Sequence, residues 1–218
     1  MAPQFDTLGS VFDALTRGRF PVGDGDLSVV PVDEVTGFAG VYSFTGHAVM
    51  STTLSYDELV ALGADGYGMS NAPEVVTAMA GPAGSVGVLD NLTMRRGIGG
   101  RATGLRETDA FDDHRRVRYA RMTRRDVRVF AHDLGLITLG RGIAGRLELG
   151  LETLGDEAER GRRAGAVLLD EALRLVGDTQ VVWASCAPGN ARSLRALLGA
   201  GFELVGSEVL ISRHGPVF

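Results

Sequence analysis

The chain has 218 residues, enough for one large domain or two small ones with a real core. Hydrophobic residues at 44% and charged residues at 22% exclude a disordered polyelectrolyte and describe a globular protein. The net charge of −5 is unevenly placed: residues 1–90 hold eleven acids and two arginines, the remainder sixteen acids and twenty arginines. An acidic first part and a basic second part suit a protein that holds a polyanionic ligand in its C-terminal part. The single cysteine, Cys186, excludes an internal disulfide and points to a reducing, cytoplasmic setting. No stretch has the length and apolarity of a membrane span or a leader, so no membrane partner is expected.

Residues 7–18 (TLGSVFDALTRG) carry Leu8, Val11, Phe12 and Leu15 at helical spacing and close on Gly18, which predicts an amphipathic helix. A short strand is expected at 27–32. Residues 40–54 are rich in β-branched and aromatic side chains and read as a strand interrupted at Gly46. Ser55 and Glu58 form a capping box for a helix over 55–64, and Pro73 opens another. A strand at 85–93 precedes the Gly- and Arg-rich 95–104, the best candidate for a linker. A helix from Thr108 to about Arg121 and strands at 127–132, 135–139 and 146–154 come next.

The strand over 146–154 alternates. Leu147, Leu149 and Leu151 share one face, Glu148, Gly150 and Glu152 the other. Residues 163–176 then switch to helical periodicity, and a strand at 180–186, a helix at 190–198 and a strand at 203–212 complete the order. A strand that delivers the chain to a basic, Gly-containing helix start makes an anion site, because the first turn has unpaired N–H donors and the positive end of the helix dipole.

Arg160, Gly161, Arg162, Arg163, Ala164 and Gly165, opening that helix after that strand, resemble the acyl-CoA pyrophosphate loop of the GNAT N-acyltransferase superfamily, Gln/Arg-x-x-Gly-x-Gly/Ala. Asn190-Ala191-Arg192-Ser193-Leu194, ending at Gly201-Phe202, resembles the same superfamily's later strand-to-helix segment. The resemblance spans about residues 105–213, and its wording is similar to an actinobacterial-type branch. It implies an α/β fold with a GNAT-type mixed, mostly antiparallel sheet flanked by helices over 105–218. A smaller α/β unit over 1–104 would precede it, either shaping the acceptor side or standing as a degenerate half-copy of the same fold.

The implied activity is transfer of an acetyl or other acyl group from acetyl-CoA to a small-molecule or peptide amine, with no metal. The implied cofactor contacts are Thr153, Leu154, Arg160, Gly161, Arg162, Arg163, Ala164, Gly165, Ala166, Asn190 and Ser193, with a strand N–H near 153–154 polarising the thioester carbonyl. Glu148 is the candidate general base, since a carboxylate beside apolar strands should have a raised pKa, and Glu152 on the same face is the reserve. Gly150 between them would leave room for an acceptor or a water. The chain departs from the family at Arg163, where the first motif glycine is usual, and at Leu197, where many members carry a tyrosine that protonates the departing thiolate. Those departures keep open a catalytically silent acyl-CoA-binding module.

Other signals have plainer readings. Gly140 to Gly145 (GRGIAG) satisfies G-x-G-x-x-G, but a strand follows where a dinucleotide fold needs a helix, so a hairpin turn is expected. The arginines at 115, 116, 118, 121, 124, 125 and 128 could contact nucleic acid. No base-reading motif accompanies them, and a solvated helix face or contacts to the coenzyme phosphates are preferred. His47 and Asp90 lie in apolar strands, as linings of an acceptor pocket or as satisfied structural groups. A homodimer is left open.

Overall fold

The computed structural model describes residues 5–154 and 163–215. Its elements are α1 (Leu8–Leu15), β1 (Leu27–Val30), β2 (Ala39–Phe44), β3 (His47–Ser51), α2 (Tyr56–Ala61), α3 (Pro73–Ala80), β4 (Ser85–Arg96) and β5 (Arg106–Glu107). They continue with α4 (Arg115–Thr123), β6 (Arg125–His132), β7 (Gly135–Arg141), β8 (Leu147–Thr153), α5 (Arg163–Leu175), β9 (Val181–Cys186), α6 (Ala191–Gly199) and β10 (Glu203–Ser212). The fold is α/β, and its sheet is mixed and mostly antiparallel: β1 with β3 and β8 with β9 run parallel, whereas β2 with β3 and β10, and β5 through β8, run antiparallel.

The chain forms two compact units, Met1–Leu92 with Val205–Phe218, and Thr93–Leu204. These do not coincide with a division at 104/105. The first unit takes back the C-terminal strand, because β10 pairs with β2 through Val209 opposite Val41 and buries Val209 and Ile211 among Met50, Leu59 and Val75. Its strand order is β1-β3-β2-β10-β4. Thr7 and Ser10 close a reciprocal cap on α1, Ser55 and Glu58 do so on α2, and Pro73 occupies the first turn of α3. The break at Gly46 is a hairpin, with glycine at φ 69°.

Within the second unit the strand order is the end of β4, then β9, β8, β7, β6 and β5. Leu149, Val182 and Ala184 present one sheet face to Leu168, Leu169, Leu173 and Leu197 of α5 and α6, and Cys186 joins this core. Residues 97–99 do not serve as a free linker. The amides of Gly97, Ile98 and Gly99 donate to Gln180, Leu173 and Val176 at 2.9–3.1 Å, tying the stretch to the C-terminal end of α5. Helix α4 starts later than expected because His114 caps it, its Nδ1 accepting from Arg116 N–H at 3.2 Å. The GRGIAG segment is the expected hairpin: Ala144 and Gly145 have φ of 51° and 72°, and Gly142 N–H donates to the Arg146 carbonyl at 3.0 Å.

Candidate functional site

The two faces of β8 behave as its alternation requires. Leu149 enters the core, while Glu148, Gly150 and Glu152 face α4 and stand beside Gly140, Thr138 and Leu136 of β7. The polar face is closed by arginines. Arg124, at the end of α4, donates through Nε to Glu148 Oε2 at 2.8 Å, and Arg146 donates through Nε to Oε1 at 2.8 Å. The three side chains are only 7%, 4% and 11% exposed. The Arg146 guanidinium also stands 5.5 Å over the ring of Trp183. The recess lined by Arg124, Arg146, Glu148, Trp183 and Ser185 has no room for a water molecule.

This corrects two expectations about Glu148. Burial does work to raise its pKa, but the charges of Arg146 and Arg124, and then their hydrogen bonds, outweigh it and hold the carboxyl below the ordinary 4.5. A carboxylate stabilised in that way is a weak proton acceptor. The space over Gly150 is not open to an acceptor either: a β-carbon there would meet Thr138 Oγ1 at 2.7 Å, Arg124 at 3.4 Å and Arg116 at 3.6 Å. Glu152 differs, with its side chain 36% exposed and a hydrogen bond from Arg116 at 3.2 Å.

The arginine run is therefore not one solvated face. Arg116, Arg121, Arg124 and Arg128 pair with Glu152, Asp112, Glu148 and Glu107, while Arg115, Arg118 and Arg125 are exposed. No sequence signal connects Arg124 to Glu148, since that pair joins separate elements. Arg146 was legible in principle, as the cation two residues before Glu148, just ahead of the start of β8.

Beyond Glu148 the surroundings of β8 change. Among the described residues β8 and β9 pair only at Leu147 with Val182 and Glu148 with Trp183, yet β8 runs on to Thr153 and β9 to Cys186. Leu154 N–H donates to the Leu134 carbonyl at 3.0 Å, which removes it as a donor to a thioester oxygen. By the alternation of an antiparallel ladder, the amides of Leu151 and Thr153 turn away from β7, toward the β9 side. Helix α5 opens at the exposed Arg163; Ala164 is buried, Gly165 half-buried beside Ala196 of α6, and Ala166 exposed. Arg160, Gly161 and Arg162 lie outside the described residues. Asn190 caps α6, accepting from Ser193 N–H at 3.0 Å. Leu197 is 4% exposed and belongs to the core under β8 and β9.

Among the described residues no group of three or more His, Cys, Asp or Glu is placed to hold a metal ion, and no helix is long and apolar enough to cross a membrane.

No protein-family model matches the chain, and no curated protein matches its sequence. Among solved structures it is similar to a GNAT-family protein from Novosphingobium aromaticivorans, at 15% identity over 60% of this chain and 68% of that one, with a TM-score of 0.39. It is similar to an acetyltransferase of the GNAT family from Colwellia psychrerythraea at 13% identity, over 58% of this chain and 56% of that one, with a TM-score of 0.38. A protein of unknown function from Staphylococcus epidermidis matches at 9% identity, 77% and 72% coverage and a TM-score of 0.41. Structures of the GNAT superfamily are thus among those to which this chain bears a partial likeness.

Proposed function

We propose that the protein is an N-acyltransferase that moves an acyl group, acetyl in the simplest case, from an acyl-CoA to an amine. The observation that carries this reading is the short parallel pairing of β8 and β9, which among the described residues ends at Glu148 and Trp183 while β8 runs on to Thr153 and β9 to Cys186. Outward-turned amides on the edge of β8 can pair with an amide-bearing chain such as pantetheine, as an added strand would. The N-terminal turn of α5 supplies N–H donors and a favourable dipole for phosphate. Gly165 and Ala164 fit that role, since small side chains leave the backbone approachable, and the exposed Arg163 can add a guanidinium to an oxygen.

On this reading Glu152, or a water it holds, removes the proton from the ammonium acceptor, and Glu148 serves as the counter-ion that fixes Arg124 and Arg146. The amine attacks the thioester carbonyl, whose developing negative charge is met by a β8 amide at Leu151 or Thr153 in place of Leu154. No side chain is assigned to protonate the thiolate, because the Leu197 position points into the core. Release of free thiol from acetyl-CoA in the presence of an amine panel tests the activity. Calorimetry tests binding, and at a hundredfold excess over Kd the coenzyme should stabilise the fold by about 2.7 kcal/mol.

A second reading, an acyl-CoA-binding module without turnover, is favoured by the burial of Leu197 and by the ion-paired state of Glu148. Saturable binding with no thiol release would select it. Absence of both binding and thiol release at millimolar coenzyme would remove both readings.

A further inference from the structure

His47 lies on β3 in the first unit with 6% of its surface exposed, and both ring nitrogens are engaged. Nδ1 is 2.8 Å from Asp24 Oδ1, and Nε2 is 2.9 Å from Ser28 Oγ. The partners decide the tautomer. A carboxylate only accepts, so the ring proton sits on Nδ1; a neutral ring then has its lone pair on Nε2, and Ser28 donates its hydroxyl hydrogen to it. Asp24 is kept ionised: the hydrogen bond with His47, and next the one from Asp26 N–H at 3.0 Å, hold its carboxyl below the ordinary 3.8. The acceptor capacity of Asp24 Oδ1 is thus fixed in place from both the loop and the strand.

Ser28 belongs to β1, the outermost strand of this unit's sheet among the described residues. β1 runs parallel to β3, and the amides of Ala48 and Thr52 donate to the carbonyls of Asp26 and Val30. The same alternation turns the backbone of Ser28 toward β3 and the amide of Val29 toward the open edge. An N–H on the residue after a nucleophile, directed away from the sheet, is a suitable donor for an oxyanion. Both residues are half-buried and not sealed in the core.

We propose that Ser28, His47 and Asp24 form a second acyl-transfer site, in the first unit, that acts on activated carboxylic esters. Ser28 Oγ attacks the ester carbonyl carbon and passes its proton to His47 Nε2. The tetrahedral oxyanion collapses, the bond from carbon to the leaving oxygen breaks, and that oxygen takes the proton from His47. Water then attacks the acyl-serine by the same route, releasing the carboxylic acid and restoring the Ser28 hydroxyl. Asp24 acts through His47 as a positioning residue, holding the ring orientation and tautomer.

The test uses the full chain and a fluorophosphonate probe, which forms a phosphorus–Oγ bond with loss of hydrogen fluoride, alongside hydrolysis of p-nitrophenyl acetate. The expected result is one adduct by intact mass, mapped to Ser28 by peptide fragmentation and absent in Ser28→Ala. That substitution removes one hydroxyl from a half-buried site, so circular dichroism and the melting temperature should stay near those of the parent. His47→Gln should slow labelling and hydrolysis by about a hundred- to ten-thousandfold. Asp24→Asn, at a side chain 43% exposed, tests the relay if the buried histidine variant does not fold, and should also slow both reactions. An unlabelled parent chain, an adduct on another residue, equal labelling of Ser28→Ala, or unchanged rates in a folded Asp24→Asn would overturn the proposal. Coenzyme A takes no part in these measurements, so their outcome is independent of the acyl-CoA reading.

Discussion

Arg146 immediately precedes β8, two residues before Glu148, and its guanidinium Nε donates to Glu148 Oε1 at 2.8 Å inside the fold. With Arg124 on the other oxygen, the carboxylate is the shared counter-ion of two buried cations. Removing one partner of a buried ion pair costs about 3–5 kcal/mol, because the charge left behind has lost its compensation. Glu148→Gln should therefore lower the unfolding free energy extrapolated from urea titration by an amount of that order, and the urea midpoint with it. Glu152→Gln, on a half-exposed side chain, should leave the midpoint nearly unchanged and lower kcat/KM by about a hundred- to ten-thousandfold if Glu152 removes the proton. The reverse pattern, full turnover in Glu152→Gln and lost turnover in a stable Glu148→Gln, would return the base to Glu148.

The same pair makes a pH prediction. The folded pKa of Glu148 lies below its ordinary value of 4.5, so the folded protein binds fewer protons there than the unfolded chain. Its contribution to stability is fully present above 4.5 and is lost as pH falls through the depressed folded value. Urea midpoints measured downward from pH 5 should fall more steeply for the parent than for Glu148→Gln. Parallel curves for the two proteins would show that Glu148 carries no such linkage.

Gly142 tests how tightly the carboxylate is held. A β-carbon at this position would collide with the Glu148 carboxylate itself. Gly142→Ala should displace that group from its arginines and cost about 1–3 kcal/mol as overpacking, read as a lower melting temperature. A melting temperature equal to that of the parent would mean the ion-paired cluster can shift without loss.

Leu197→Tyr asks whether the missing acid can be installed. Since Leu197 packs under β9 among Leu168, Leu173 and Phe202, a tyrosine there is too large and brings a hydroxyl into an apolar core. We expect a loss of about 1–3 kcal/mol and no gain in thiol release. A stable variant with faster thiol release would show that the position faces the thioester.

The local features were legible because they depend on neighbouring residues. The alternation Leu147, Glu148, Leu149, Gly150, Leu151, Glu152 reveals which side of β8 is apolar, and the caps at Ser55 and Asn190 lie within three residues of their partners. What the sequence hid is contact between distant segments. Nothing local to Arg124 marks it as the partner of Glu148, so Glu148 read as a carboxylate raised by burial instead of one lowered by two cations. Glycine content made residues 95–104 look like a linker, although backbone amides from 97–99 are used by the end of α5. His47 was legible as a polar residue in an apolar strand, but Asp24 and Ser28 became its partners only through the turn that precedes β1 and the parallel register of β1 with β3.

The pairing of β10 with β2 also orders events during synthesis. Val41 must wait for Val209 to be made before the two can stand side by side. At about 5–20 residues per second, that delay is on the order of ten seconds or more. Residues Thr93–Leu204, an uninterrupted stretch, are by contrast all available before the last strand leaves the ribosome. The unit that begins first at the N-terminus is thus the one completed last, and until then the β2 edge that β10 will occupy is open to the wrong strand.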